Sequence, residues 1–150
     1  MREQFTTALK EAMKAGEKAR LGTIRLIQAA IKDKDIEVRG SGRELATNEE
    51  ILALLQKMVK QRQESAAVYR QNGRPELADG EEAEIVVIQA FLPKQMSEDE
   101  VKAAIAAAIT ETGAAGMKDM GKVIAVLKEK FTGQMDFAKA SALVKAALSA

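Results

Sequence analysis

Apolar residues recur at helical spacing almost from end to end of this 150-residue chain, and that pattern limits the fold more than any other feature. Phe5, Ala8, Leu9, Ala12 and Met13 fall at i, i+3, i+4, i+7 and i+8, one face of a helix. Gly16 predicts its end. A second helix is expected from about Lys18 to Arg39, with Leu21, Ile24, Ile27, Ala30 and Ile31 on its buried side. Gly40-Ser41-Gly42 then breaks the chain and is the clearest flexible loop. Thr47-Asn48-Glu49-Glu50 reads as a capping box: the Thr47 hydroxyl accepts from the Glu50 amide, and the Glu50 carboxylate reaches back. The helix it opens carries Ile51, Leu54, Leu55, Met58 and Val59 on one side and ends near Asn72-Gly73. Pro75 suits the first turn of a fourth helix, where no N–H partner is lost.

Ile85-Val86-Val87-Ile88 is the one run that looks like a buried strand. Helix is the better assignment. Glu81-Glu82-Ala83-Glu84 are poor strand residues, and no partner strand is evident elsewhere. Pro93 stops this element, and Leu92-Pro93-Lys94-Gln95-Met96 is the expected domain boundary. Ser97-Glu98-Asp99-Glu100 is a second capping box, its extra acids favoured by the helix dipole. Val101, Ala104, Ile105, Ala108 and Ile109 continue the pattern, and Gly113 and Gly116 bracket a loop. Met120, Val123, Ile124, Leu127 and Phe131 line the next helix, which Gly133 ends. Asp136 is placed to cap a last helix with Phe137, Ala140, Leu143, Val144, Ala147 and Leu148 on its apolar side. The expected fold is all-α, with about four helices in residues 1–93 and three small ones in residues 94–150.

Composition removes most chemistry. There is no Cys and no His, which excludes thiol nucleophiles, disulfides, imidazole bases and Cys- or His-based zinc sites. Carboxylates, Lys, hydroxyls and the single Tyr69 remain. Gly40-Ser41-Gly42 lacks the third glycine of a dinucleotide site, and no Gly-x-x-x-x-Gly-Lys-Ser/Thr occurs. Carboxylate pairs such as Asp33/Glu37 and Glu81/Glu84 fall on polar faces. Ser65, Ser141 and Ser149 lie within helical patterns, without the Gly/Ser-rich segment that amidase chemistry needs. No catalytic residue, metal ligand or cofactor is predicted. Aromatic residues make up 3% of the chain, which argues against base-stacking platforms. No stretch approaches the roughly 18–20 apolar residues of a membrane span. Met1-Arg2-Glu3-Gln4-Phe5 lacks the apolar run of a signal peptide. With no cysteine either, the expected location is cytoplasmic.

The net charge of +1 hides a pattern. Residues 1–62 are net +4, residues 63–100 net −6, and residues 101–150 net +3. Lys18, Arg25, Lys32 and Arg39 recur every seven residues. Seven helical residues turn about 700°, so each step drifts by only about 20°. These cations form a stripe roughly 30 Å long at about 1.5 Å per residue, and Lys14 extends it. Such a stripe suits a nucleic-acid backbone, where phosphate neutralisation dominates binding. The competing reading is a solvated helix face, because Asp33, Asp35 and Glu37 lie near its far end.

Gly116-Met117-Lys118-Asp119-Met120-Gly121-Lys122-Val123-Ile124, Gly133-Gln134-Met135-Asp136 and Leu143-Val144-Lys145-Ala146-Ala147-Leu148 follow one another in the C-terminal part. The N-terminal half holds Arg20-Leu21-Gly22-Thr23-Ile24-Arg25-Leu26-Ile27-Gln28-Ala29-Ala30-Ile31-Lys32, then Ile36-Glu37. Between them lie Glu82-Ala83-Glu84-Ile85 and Leu92-Pro93-Lys94-Gln95-Met96-Ser97. Together these motifs resemble the GatB/YqeY family along the whole chain, in the manner of a stand-alone YqeY-type protein. Ile124 stands where the family often has Met, an apolar exchange.

The resemblance implies an all-helical fold of two parts. It relates residues 97–150 to the tail domain of the B subunit of the glutamine-dependent aspartyl/glutamyl-tRNA amidotransferase. There the tail helps to hold tRNA, while the chemistry takes place in a catalytic cradle and a glutaminase subunit. Neither is found in this sequence. Carried over, the tail motif falls on Gly116, Gly121, Lys122, Val123 and Gly133, with Leu148 near the end. Glycines there would let helix starts approach each other or a phosphate closely, and Lys122 would be the best-placed cation. Lys128 and Lys130 follow as further RNA-contact candidates. The competing reading is that Gly116, Gly121 and Gly133 only shape the three-helix packing, around Val123 as core.

The expected function is therefore an RNA-binding accessory protein, with tRNA the first RNA to test. One alternative is a subunit assisting carbon–nitrogen ligation with glutamine as amide donor, on tRNA-linked acids. The other is a helical module that docks on an amidotransferase or another protein partner.

Overall fold

The computed structural model describes residues 1–149. Its helices are α1 (Arg2–Ala15), α2 (Lys18–Arg39), α3 (Asn48–Gln71), α4 (Pro75–Gln89), α5 (Glu98–Thr112), α6 (Met120–Phe131) and α7 (Phe137–Ser149). A single 3-10 turn, Met117–Asp119, precedes α6. Among the described residues there is no strand. Ile85 and Ile88 are buried while Val86 is 68% exposed. Burial at i and i+3 is the helical period; a strand buried on one face would instead alternate every second residue.

The caps are those the sequence predicts. Thr47 and Ser97 each accept from the amide three residues on, and Glu50 and Glu100 reach back to complete both boxes. Pro75 sits in the first turn of α4. The Asp136 carboxylate accepts from Ala138 N at 2.9 Å at the start of α7. Gly16, at φ 70°, closes α1 in the left-handed region.

The chain forms two compact units, Met1–Leu92 and a second from Pro93 onward. The first has a core of Phe5, Ile27, Ile31, Ile51, Leu55, Met58, Val59, Ile85 and Ile88. The rings of Phe5 and Phe91 pack with centroids 4.7 Å apart. Ala8 and Ala12 pack with Ile24 in a small cluster where α1 meets α2. The second unit closes over Ile105, Ala108, Val123, Leu127, Met135, Ala140 and Val144. Two residues depart from the apolar pattern. Met13 is 56% exposed, because it stands about 100° round the helix from buried Ala12. Ala147, in the last turn of α7, is exposed too.

The loop at Gly40-Ser41-Gly42 is knit by hydrogen bonds. The Val38 carbonyl accepts from the Ser41 hydroxyl and amide and from the Arg43 amide. The Arg43 guanidinium grips both oxygens of the Glu50 carboxylate at 2.6 and 3.0 Å. Deeper in, Asp35 is only 7% exposed. Its carboxylate takes two bonds from the Arg2 guanidinium, at 2.7 and 2.9 Å, and one from the Ala46 amide at 2.8 Å. Arg2 also donates to the Ala46 carbonyl at 3.1 Å. One carboxylate thus ties the start of α1, the last third of α2 and the entry to α3.

The Arg2 guanidinium, aided by the Ala46 amide, lowers the Asp35 carboxyl from its ordinary 3.8 to about 2. A carboxyl depressed in the folded state stabilises it fully above the unfolded value, and loses that contribution as pH falls through the folded one. Asp35→Ala strands a buried amide and a half-buried guanidinium. Urea unfolding at neutral pH should show a loss of about 1–3 kcal/mol. The gap between wild type and variant should close as pH falls from about 4 to about 2.

Candidate nucleic-acid interface

α2 buries Thr23, Ile24, Ile27, Ile31, Asp35 and Val38, which together take up the side turned to the core. Lys18 and Arg25 stand on the exposed side away from it, and exposed Lys32 stands at its edge, one turn from Asp35. Lys14, exposed in the last turn of α1, lies at the end of the same hairpin. Among the described residues none of these four cations has a carboxylate within ion-pair distance. Of the three acids near the far end of the stripe, two are engaged elsewhere, and Asp33 stays exposed next to Lys32. Asp35 turns inward to Arg2, and Glu37 pairs with Lys34 at 3.3 Å. Arg39 departs from the stripe: its Nε donates to the Glu44 carbonyl at 3.3 Å, bracing the loop. The exposed cations of the run without a hydrogen-bond partner among the described residues are therefore Lys18, Arg25 and Lys32; Arg39 is exposed as well, with its guanidinium tied to the loop.

An open depression of about 220 Å³ lies beside this run. Arg2, Thr6, Gln28, Lys32 and Asp35 line it over Phe5 and Ile31. Lys32 contributes to both the depression and the stripe. Asp35 is the residue that sequence reasoning left on the polar side. The signal was present: Asp35 follows Ile27 and Ile31 at i+8 and i+4, an apolar position occupied by a carboxylate.

The tail residues assemble less closely. Lys122 and Lys128 are six residues apart on α6, about 120° round the helix, and Lys130 lies about 80° to the other side of Lys122. They form no single surface. Lys130 pairs with Glu111 of α5 at 2.6 Å. Lys122 faces Asp119 at 3.9 Å, and that carboxylate already accepts from the Ala115 amide at 3.0 Å. The start of α6 thus carries its own anion. Asp119 is held below the usual carboxylate range, first by the Ala115 amide and then by Lys122 and Lys118.

The three motif glycines divide. Gly133 has φ 78° and must be glycine or be strained. Its carbonyl accepts from Gln95 Nε2 at 2.6 Å, next to the bond from Met96 N to the Gln134 carbonyl at 2.9 Å. Gly116 is extended at φ −174°, and Gly121 is helical. A β-carbon on either would meet no atom within 4 Å, so neither permits a close approach within the unit. Val123 is fully buried.

A family model described as Yqey-like protein matches residues 2–148. The chain belongs to the Yqey-like family. Curated relatives share the name "Altered inheritance of mitochondria protein 41, mitochondrial". The protein of Lachancea thermotolerans is 34% identical over 106 residues, 69% of this chain and 54% of its own. That of Eremothecium gossypii is 36% identical over 84 residues, 56% of this chain and 44% of its own. That of Vanderwaltozyma polyspora is 33% identical over the same length, with the same shares. The chain spans about half the length of the curated relatives it matches. The expectation of a cytoplasmic location is corrected by these names, which are those of mitochondrial proteins. Its basis was weak: a Yqey-like chain without cysteine carries no redox signal for any compartment. No helix among the described residues is long and apolar enough to cross a membrane. No group of three or more metal-ligating side chains occurs among them.

The glycine contrast is testable by melting. Gly121→Ala should stabilise the second unit by up to about 1 kcal/mol, and Gly133→Ala should destabilise it by about 1 kcal/mol or more.

Proposed function

We propose that this Yqey-like protein is an RNA-binding accessory protein that holds tRNA by its phosphate backbone. The observation that carries the reading is the exposed Lys18, Arg25 and Lys32 run of α2, with no carboxylate on it at pairing distance among the described residues. Three ammonium or guanidinium groups at about 10 Å intervals neutralise phosphates without reading bases. Lys14 adds a fourth charge at one end of the run. In the second unit, Lys122 and Lys128 are secondary contacts, and Lys130 is engaged by Glu111. Kinship with the tail of the tRNA-dependent amidotransferase supports tRNA as the RNA to try first. The reading assigns no step of amide transfer to this chain's own residues.

Labelled tRNA titrated by fluorescence anisotropy tests it. If three cations each release one counterion, affinity should fall about 40-fold between about 50 and about 200 mM salt. The triple variant Lys18→Glu, Arg25→Glu, Lys32→Glu should bind at least about tenfold more weakly at low salt. No binding by wild type at low salt, or equal binding by the variant, would contradict the proposal.

A further inference from the structure

The depression between α1 and α2 holds chemistry that phosphate contacts leave unused. Arg2 and Thr6 stand one turn apart on α1, and Gln28 and Lys32 stand one turn apart on α2, so polar side chains flank it from both helices. At about 220 Å³ it has room for one flat ring system over Ile31. Among the described residues, the Thr6 hydroxyl, the Gln28 amide and the Lys32 ammonium make no hydrogen bond within the protein. Gln28 is half-buried, and its amide offers both donors and an acceptor to whatever enters. Arg2 differs from these three. Its guanidinium donates twice to Asp35, at 2.7 and 2.9 Å, and once to the Ala46 carbonyl at 3.1 Å. Those bonds run along the edge of the group and fix its plane, leaving its flat faces for other contacts. The Arg2 side chain remains 35% exposed.

We propose that this depression takes one unpaired nucleotide of the bound RNA: the base stacks on the Arg2 guanidinium with Thr6 and Gln28 at its edge, and Lys32 holds its phosphate. The inference rests on the RNA reading above and adds an uncharged contact to it. Lys32 makes the two continuous, because it belongs both to the exposed cations of α2 and to the rim of the depression. A backbone followed along Lys18, Arg25 and Lys32 reaches the depression at its end. No aromatic plane is offered there, since the Phe5 ring is only 2% exposed. Arginine is the other side chain whose plane stacks on bases, and here a buried carboxylate holds that plane still. A paired base has its faces and edge engaged in the duplex, whereas an unpaired one brings both to the protein. A free nucleoside monophosphate carries the same groups, so the experiment separates the two sources.

Two RNA hairpins with one stem and a short 3′ tail, the tail of one made abasic, carry equal numbers of phosphates and differ only in unpaired bases. Titrated with the full chain, the hairpin with bases should bind about tenfold more tightly. The double variant Thr6→Val, Gln28→Leu should cut that preference by at least about threefold. Its affinity for the abasic hairpin and its salt slope should stay at the wild-type values, because no charge is lost. Arg2→Lys keeps a cation beside Asp35 but removes the plane, and should abolish the preference, with folding checked by thermal melting. In a ¹⁵N spectrum the Gln28 side-chain amide signal, assigned by its loss in Gln28→Leu, should move with the base-bearing hairpin and not with the abasic one. Equal affinity of wild type for the two hairpins, both being bound, would overturn the nucleotide site and leave the cationic face standing. A Gln28 signal moved by a free nucleoside monophosphate, beside equal hairpin affinities, would assign the depression to free nucleotides and equally overturn the placement of RNA in it. Failure of wild type to bind either hairpin would remove the inference and the reading beneath it.

Discussion

The first unit depends on one carboxylate in an apolar position. Asp35 falls on the buried face of α2 and survives there only because Arg2 and Ala46 supply three hydrogen bonds to it. Removing a charge from water is costly unless it is paired and bonded in this way. The bonds hold α1, α2 and the entry to α3 in one arrangement. They also decide the charge alongside, because Asp35 stands one turn from Lys32 on the same depression. With Asp35 turned inward and Glu37 on Lys34, the cations at Lys18, Arg25 and Lys32 keep their charge for something outside the unit.

The acidic middle of the sequence has a different role. Much of it serves the α3–α4 hairpin. Arg62 pairs with Glu84 at 2.7 Å, and Arg70 takes both Asp79 and Glu82 at 3.0 and 2.8 Å. A net charge near zero therefore conceals acids consumed within one hairpin and cations left exposed on another helix. The family relation adds to this picture without deciding it. Yqey-like kinship covers both units, and the relatives that share it are longer proteins than this chain.

Most of the fold was legible in the sequence because local chemistry specified it. Two capping boxes, Pro75, and glycines at helix ends mark the boundaries by hydrogen bonds that form between near neighbours. Ile85 to Ile88 resolved correctly because the acids before it are poor in strands. What periodicity missed were the long-range partners. The Arg2–Asp35 bond spans 33 residues, and no local pattern announces it. The Gly40 loop looked free because its bonds to Val38 and Glu50 depend on how the chain turns back. The tail lysines looked like a group because they are close in sequence, but helical geometry sends Lys122, Lys128 and Lys130 to different sides of α6. Gly121 looked like a packing residue, and the space above it is empty.

The central claim is that individual cations of α2 neutralise individual phosphates. The dependence of tRNA affinity on salt, measured for Lys18→Gln, Arg25→Gln and Lys32→Gln singly and together, tests this most directly. Each neutralisation should reduce the slope of log affinity against log salt by about 0.9, and the triple variant by about 2.7. A slope that stays at the wild-type value in all of them would mean that RNA, where it binds, is held somewhere else.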